Sequence, residues 1–508
     1  MNNSIGKNTI YLYLRSFFTL VITLYTSRVI LDKLGINDFG IYNTVGSVTA
    51  SLSFLTGALG LATSRFITYD LGKGEKTQLT ITFRCIFTLY VILAFFILLF
   101  FEVTGPWFIN HKLVFASSRV YAVHAVFHVS ILSAIVYVLQ VPFTSLVIAH
   151  EKMNFFAFMG IFDAMGKLLV CYLVSISSYD RLIMYSILLL SLSVIQCFFY
   201  LIYCKIHFIE ATLKPLFHTD TIRSIGGFAI WSLLGQFSIM LQQQGINIIT
   251  NIFFGPTIVA ARAISMQVND AVNKFVSNFM TAGTPQIVKR HAAGNEDSSK
   301  QLVRKLVIIA ILLATIVCFP LYLNTNYILH LWLKEVPDYA VSFTQIILLQ
   351  SIFNTVENGL YSVFYSHGRV KENALASPIL SIFMFCIVYF LFMNGFSPIA
   401  LSYCYFINVM LSCLIVKPIL IHVIFRYEWS FFKRIYKTCF VLFLLLVPVA
   451  ILHNLYLSKS TLLPVLCETF LFIVYITLTS YFFIFDSDIR LTLKTIIKKM
   501  VSFTHHVD

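Results

Sequence analysis

Apolar runs of about twenty residues, separated by short polar gaps, recur along almost the whole chain. They fall at 8–31, 40–64, 79–101, 118–148, 154–176, 181–203, 224–254, 256–281, 303–323, 340–365, 372–394, 397–424, 435–456 and 461–485. A helix rises about 1.5 Å per residue, so a run of roughly twenty residues crosses the ~30 Å hydrocarbon core of a bilayer. The pattern therefore predicts an all-α polytopic membrane protein with about fourteen transmembrane helices. The seventh and eighth runs meet at Gly255-Pro256, a helix-breaking pair inside a stretch long enough for two spans. An even number of spans places both termini on one side. The first run reaches Leu31 without a small-residue cleavage site, so no removable leader is expected.

Composition agrees with the pattern. The 508 residues are 58% hydrophobic and 11% charged, against about 45–50% and 25% in soluble domains. The ten cysteines show no C-x-x-C pair and no His/Cys ligand spacing, so they read as small apolar fillers rather than metal or redox groups. No strand–G-x-x-x-x-G-K-[ST]–helix is present. No cofactor, no metal and no catalytic residue is expected.

The formal charge of +14 raises nucleic acid as a partner, and its distribution removes that reading. Of the 36 Lys and Arg, 24 lie on one set of termini and loops, 6 on the opposite set and 6 within spans. By the positive-inside rule the first set is cytoplasmic. Topology and anionic lipid headgroups then account for the basic excess. This places the chain in a bacterial inner membrane with both termini inside, in contact with membrane lipids and with no nucleic acid. The outer connections are no longer than about 20 residues, too short for a folded catalytic domain. The basic tail 489–501 reads either as an amphipathic surface helix or as a disordered segment.

Shifting the sequence by 220 residues lays Gly35 on Gly255, Val48 on Val268 and Gly74 on Gly294. A shift of 217 lays Ala149–Lys152 on Ser366–Arg369. Spans one to six thus align in order on seven to twelve, with the last two outside the repeat. Six is even, so the halves have the same orientation, a parallel repeat. The expected organisation is a six-helix lobe in 1–210, a second in 211–425, and two further helices with the basic tail in 426–508.

The segment from Asn8 to Asn43 (NTIYLYLRSFFTLVITLYTSRVILDKLGINDFGIYN), followed by Ala62–Gly74 (ATSRFITYDLGKG), resembles the opening of bacterial polysaccharide-biosynthesis membrane proteins. These include the Wzx-type O-antigen flippases of the multidrug/oligosaccharidyl-lipid/polysaccharide exporter superfamily. The Ala-His-Glu-Lys segment at 149–152 is similar to theirs too. The resemblance is specific over 8–76, weaker through 120–160, and one of hydropathy alone beyond about 420. It implies a V-shaped, MATE-like transporter with two pseudo-symmetric lobes and two additional helices that help hold a lipid tail. It also implies an undecaprenyl-pyrophosphate-linked oligosaccharide as cargo, flipped from the cytoplasmic to the periplasmic leaflet. Other polysaccharide-assembly membrane proteins are the implied partners, and the chain is expected to act as a monomer.

Ionisable residues at membrane depth usually face a partner or a wet cavity, because insertion costs about 2.5–3.5 kcal/mol each. Asp163 with Lys167 and Asp270 with Lys274 stand four residues apart, acid first, and can pair on their own helices. Arg28, Lys417 and Glu468 lie near span ends and can snorkel. Arg15 and Arg262 have no acid three or four residues away. A pyrophosphate suits the guanidinium fork, so these two are candidate headgroup contacts, with structural pairing, for example to Glu357, as the alternative. Gln236, Gln243 and Asn247 recur at helical spacing, as do Asn269 and Asn273 with Lys274 beside them. Such amide faces suit sugar hydroxyls and equally suit glue between helices. Asp163, Lys167, Asp270 and Glu357 are candidates for ion coupling or structural pairing. His124 and His128, four apart, read as packing residues before a proton or metal site.

Four functions compete: an alternating-access flippase, a cation-coupled multidrug exporter of the same superfamily, a membrane-embedded polymerase or glycosyltransferase, and a structural membrane protein. The exporter calls for an anionic cavity and the transferase for a large extramembrane loop. The flippase fits the cationic interior best, and the chain is expected not to be an enzyme.

Overall fold

The computed structural model describes residues 2–367, 369–456, 461–485 and Arg490, apart from the side chains of 1–17 and of some other helical residues, chiefly within 228–232, 275–279 and 281–285. Among the described residues the only regular structure is helical. In chain order the helices are α1 (Asn2–Ala50), α2 (Ser53–Lys73), α3 (Lys76–Lys112), α4 (Val120–Ala149), α5 (Met153–Ile176) and α6 (Arg181–His207). Then come α7 (Thr219–Met240), a π-helical turn Leu241–Gly245, α8 (Ile246–Phe254), α9 (Pro256–Ala292), α10 (Glu296–Leu323) and α11 (Thr325–Trp332). The series ends with α12 (Ala340–Ser366), α13 (Val370–Met393), α14 (Ala400–Leu411), a second π-helical turn Ser412–Val416, α15 (Lys417–Phe425), α16 (Trp429–Tyr456) and α17 (Leu462–Phe483). These elements cover the fourteen apolar runs in order. Among the described residues eight helices are long and apolar enough to cross a bilayer, and the pair Phe18–Ala50 and Ser53–Lys73, bent by 52°, makes a ninth if it is one span. The chain is a multi-pass membrane protein.

Glycines set the breaks. Gly35 interrupts α1 at φ 79°, ψ 166°, and Gly255 separates α8 from α9 at φ 78°, ψ −177°. A Cβ is barely tolerated there, so only glycine holds that bend without strain. These are the two glycines that the 220-residue shift superimposes. Gly74 and Gly294, paired by the same shift, both close a helix in the left-handed region, at φ 73° and 74°. Their amides donate three residues back, to Leu71 O (3.1 Å) and His291 O (2.9 Å). The 217-residue match behaves likewise. His150 donates to Leu146 O and Lys152 to Val147 O, while His367 donates to Val363 O and Arg369 to Phe364 O. Local backbone geometry thus repeats where the sequence predicts a repeat.

By packing, the chain forms two compact units. The first holds 1–267, 332–340 and 378–400, and the second 268–331, 341–377 and 401–508. These units are grouped by contact, whereas the lobes expected at 1–210 and 211–425 are grouped by correspondence along the sequence. The first unit's core includes Phe83, Tyr90, Phe127 and Phe143, all within 1% of full burial. Gly105 lies beneath the Phe127 ring, where a Cβ would come within 2.0 Å of it. The second unit centres on Phe319, Phe364, Phe432 and Phe472. Small residues let membrane helices approach closely, and Gly40 is the extreme case. A Cβ there would sit 1.9 Å from the Pro256 carbonyl oxygen, a backbone atom that cannot rotate away. Gly40→Ala is expected to cost at least the ~1–3 kcal/mol of ordinary overpacking. A melt of purified protein in detergent checks this; an unchanged transition temperature would refute it.

Candidate functional site

The amide-rich stretch after α7 does not continue as a plain α-helix. Across Leu241–Gly245 the turn widens, and Ile246 N–H reaches Leu241 O five residues back. In an α-helix that amide would serve Gln242 O. The carbonyl of Gln242 is thereby released, and Arg262 Nη2 donates to it at 3.1 Å. Arg262 Nε donates to Asn247 Oδ1 at 3.0 Å. Asn247 Nδ2 donates to Ser47 Oγ at 2.9 Å, and Ser47 Oγ donates to Asn43 O at 2.8 Å. The Gln242 side chain donates from Nε2 to Ser381 Oγ on α13. A buried arginine, 8% exposed, thus heads a polar network joining α1, the π-turn, α8, α9 and α13 inside the first unit. Wide turns of this kind are frequent at functional sites because they free backbone groups, and broken helices do the same in transporters.

The widened turn corrects one expectation. An extra residue rotates the remainder of the helix by about 100°, so Gln242 rather than Gln243 meets Asn247 at the arginine, and Gln243 is exposed. Gln236 packs against Gly57, its Oε1 2.6 Å from where a Cβ would stand. Spacing also missed Ser47, Ser381 and Asn251. Asn251 is fully buried and accepts from Val114 N at 2.9 Å, which ties α8 to the connection after α3. A polar residue in an apolar run was the available signal for each.

In the second unit Asn273 Nδ2 donates to Asn269 Oδ1 (3.0 Å), and Ser351 Oγ on α12 donates to the same oxygen (2.8 Å). Here the amides join helices. Asp270 and Lys274 are both exposed. Glu357 meets Lys417 rather than an arginine, with Nζ 3.1 Å from Oε1. Ser412 Oγ also donates to Oε1 at 2.8 Å. Lys417 therefore does not snorkel; it comes directly after the second π-turn, which turns it inward onto a carboxylate on α12. Glu468 does not snorkel either. His453 Nδ1 lies 2.7 Å from its Oε1, and Asn324 Nδ2 donates to Oε2 at 3.0 Å, linking α10, α16 and α17.

Asp163 and Lys167 pair as their spacing predicts, at 2.7 Å. His124 and His128 take separate partners, Asn110 and Glu102. The side chain of Arg15 lies outside the described ones, as does the tail 491–508. Outside the spans, Arg119 clasps Asp38 and Asp180, fastening α1 and α6 at the start of α4.

Residues 232–390 match the family model described as MatE. Among solved structures, the lipid II flippase MurJ in an inward closed conformation is similar at a TM-score of 0.70 and 10% identity, over 93% of this chain and 98% of that one. An inward-facing multidrug resistance MATE family transporter of the MOP superfamily gives 0.65 at 13% identity, over 82% and 96%. A MOP superfamily transporter from Pyrococcus furiosus, described as having a binding pocket of reversed polarity, gives 0.59 at 13% identity, over 82% and 93%. No curated protein matches by sequence. The fold is that of the MOP superfamily transporters.

Proposed function

We propose that the chain is a transporter, not an enzyme, and that it flips an undecaprenyl-pyrophosphate-linked oligosaccharide by alternating access. The cargo would be a repeat unit of O-antigen, capsule or exopolysaccharide, moved from the cytoplasmic to the periplasmic leaflet. The observation that carries this reading is the extent of the fold. The likeness to the lipid II flippase leaves only about 36 residues of this chain unmatched. That is fewer than α16 and α17 hold together, so the correspondence takes in at least part of this pair. The multidrug transporter leaves about 91 unmatched, room enough for both helices. Repeat halves 1–210 and 211–425 would be the working lobes, and the basic loops would face the cytoplasm.

Within the first unit we assign headgroup recognition to Arg262 and the residues it bonds, Gln242 and Asn247. Two of the guanidinium's donors, Nε and Nη2, go to neutral acceptors, an amide oxygen and a carbonyl. Charge-assisted bonds to phosphate are roughly twice as strong, so a pyrophosphate oxygen competes favourably for the same donors.

The match to the MatE family model over 232–390 favours a second reading, a cation-coupled multidrug exporter. Expression in a strain lacking its own O-antigen flippase separates the two. Restored surface glycan, with loss of the lipid-linked oligosaccharide that accumulates on the inner leaflet, is the expected result. Faster ethidium efflux with no surface glycan would replace the flippase reading with the exporter.

A further inference from the structure

The repeat relation extends beyond the backbone to two histidines whose surroundings differ. Under the 217-residue shift His150 falls on His367 and Phe208 on Phe425. Each histidine ring lies on its phenylalanine, with centroids 4.1 Å apart in the first unit and 4.3 Å in the second. Two other positions then change together. Glu210, whose Oε1 stands 2.5 Å from His150 Nε2, falls under the same shift on Tyr427. Leu71 falls under the 220-residue shift on His291, and the His291 ring centroid lies 4.0 Å from that of His367. The histidine of the first unit therefore meets a carboxylate, and that of the second meets another histidine.

His367 directly follows α12 and His291 stands at the end of α9, so the ring pair joins two helix ends beside the basic loops. His367 Nδ1 donates to Val363 O at 2.9 Å, so an added proton enters at Nε2. Among the described side chains, Glu296 on α10 favours that proton and Lys300 opposes it, and these two are paired at 3.5 Å. Past α15, Tyr427 presents its ring at 6.1 Å. Burial raises the pKa of its phenol, which stays neutral, and His422 Nδ1 is spent on its carbonyl oxygen at 2.7 Å. Arg369 and Glu372 pair with each other at 3.3 Å, and Arg290 turns to Ser298. Burial, with the neighbouring His291, holds the pKa of His367 below the ordinary 6.5. Such a base takes its proton more readily once the helix ends part. Stability present above pH 6.5 is therefore lost as pH falls below it. A proton on His150 does the opposite, because it completes an ion pair with Glu210. We propose that His291 and His367 form an acid-sensitive latch. Neutral rings hold the ends of α9 and α12 together, and protonation drives them apart while the His150 junction stays closed. The latch goes beyond the transport reading and does not depend on which cargo is carried.

Hydrogen exchange of the full-length protein in detergent, read by mass spectrometry, tests the latch. Samples are equilibrated at about pH 7.5 and about pH 5.5, either side of the ordinary histidine value, and rates are corrected for intrinsic amide chemistry. A proton held one pKa unit more weakly in the closed form favours opening about tenfold. Acid should lower the protection of 288–295 and 363–367 by roughly that factor, while 148–152 keeps its own. His291→Leu, which installs the residue found at the corresponding position of the first half, should abolish the acid response. If that variant is unfolded at neutral pH, His367→Gln, which carries no titrating ring, should abolish it instead. Equal loss of protection at both junctions, no loss at either, or an acid response that survives in the folded variant would each overturn the proposal.

Discussion

Replacing Glu357 by alanine while Lys417 remains should remove most of the folded protein, because it strands a cation inside the second unit. The Lys417 side chain is 5% exposed and that of Glu357 18%, so neither charge is hydrated as it would be at the surface. Lys417 Nζ meets Glu357 Oε1 at 3.1 Å and Glu357 O at 3.3 Å, and Ser412 Oγ supports the same carboxylate. The lysine has no ready escape. Its own amide is bonded to Ser412 O across the wide turn, which fixes where its side chain starts. Breaking a buried pair from one side costs about 3–5 kcal/mol, a large part of the ~5–15 kcal/mol that holds a typical fold together. The double variant Glu357→Met/Lys417→Met removes both charges and should recover most of the loss, since an apolar pair of similar volume is often neutral or better. Folded yield by fluorescence-detected size exclusion and melting temperature read the cycle. A Glu357→Ala protein as abundant and as heat-stable as the parent would show that this pair holds nothing together. If the double variant folds yet transports nothing, Glu357 serves ion coupling as well as packing.

The range of each interaction decides whether it was legible in the sequence or hidden from it. Apolar runs are a one-dimensional signal, so the spans came out in order. The Gly35/Gly255 and Gly74/Gly294 matches were legible because backbone conformations open only to glycine leave a mark at a single position. The Asp163–Lys167 pair was legible because both partners lie on one turn of one helix. Lys417 and Glu468 were misread as snorkelling because their partners, Glu357 and His453, stand 60 and 15 residues away on other helices. Position along a span says nothing about what a neighbouring helix presents. Gln243 was taken for Gln242 because a wide turn changes the helical period by one residue, and five residues of Leu, Gln and Gly carry no mark of it. The acceptor that Arg262 uses, a backbone carbonyl, is invisible to any reading of side chains.

Arg262→Ala should lower both stability and transport, and the ratio of the two losses says what the arginine is for. Alanine leaves the Gln242 carbonyl and the Asn247 amide oxygen without their donor, each at about 1–3 kcal/mol if it stays buried. It also leaves the volume of a large side chain unfilled. Arg262→Lys keeps the charge but replaces a planar fork, which reaches two acceptors at 3.0 and 3.1 Å, with one mobile ammonium. If the guanidinium is only a clip across the π-turn, transport per folded molecule should be equal in the parent, Arg262→Lys and Arg262→Ala. If it also receives the pyrophosphate, Arg262→Lys should keep more than half of the folded protein while its flipping rate per molecule falls about tenfold or more. A lost charge-assisted bond of ~1.5–3 kcal/mol implies a fall of that size. Reconstitution into vesicles with a fluorescent lipid-linked oligosaccharide, normalised to folded protein, measures it. The headgroup assignment predicts the second pattern, because a phosphate oxygen is a stronger partner for Nε and Nη2 than the amide oxygen and carbonyl they now meet. Equal rates across the three proteins would end that assignment and leave Arg262 as a structural brace.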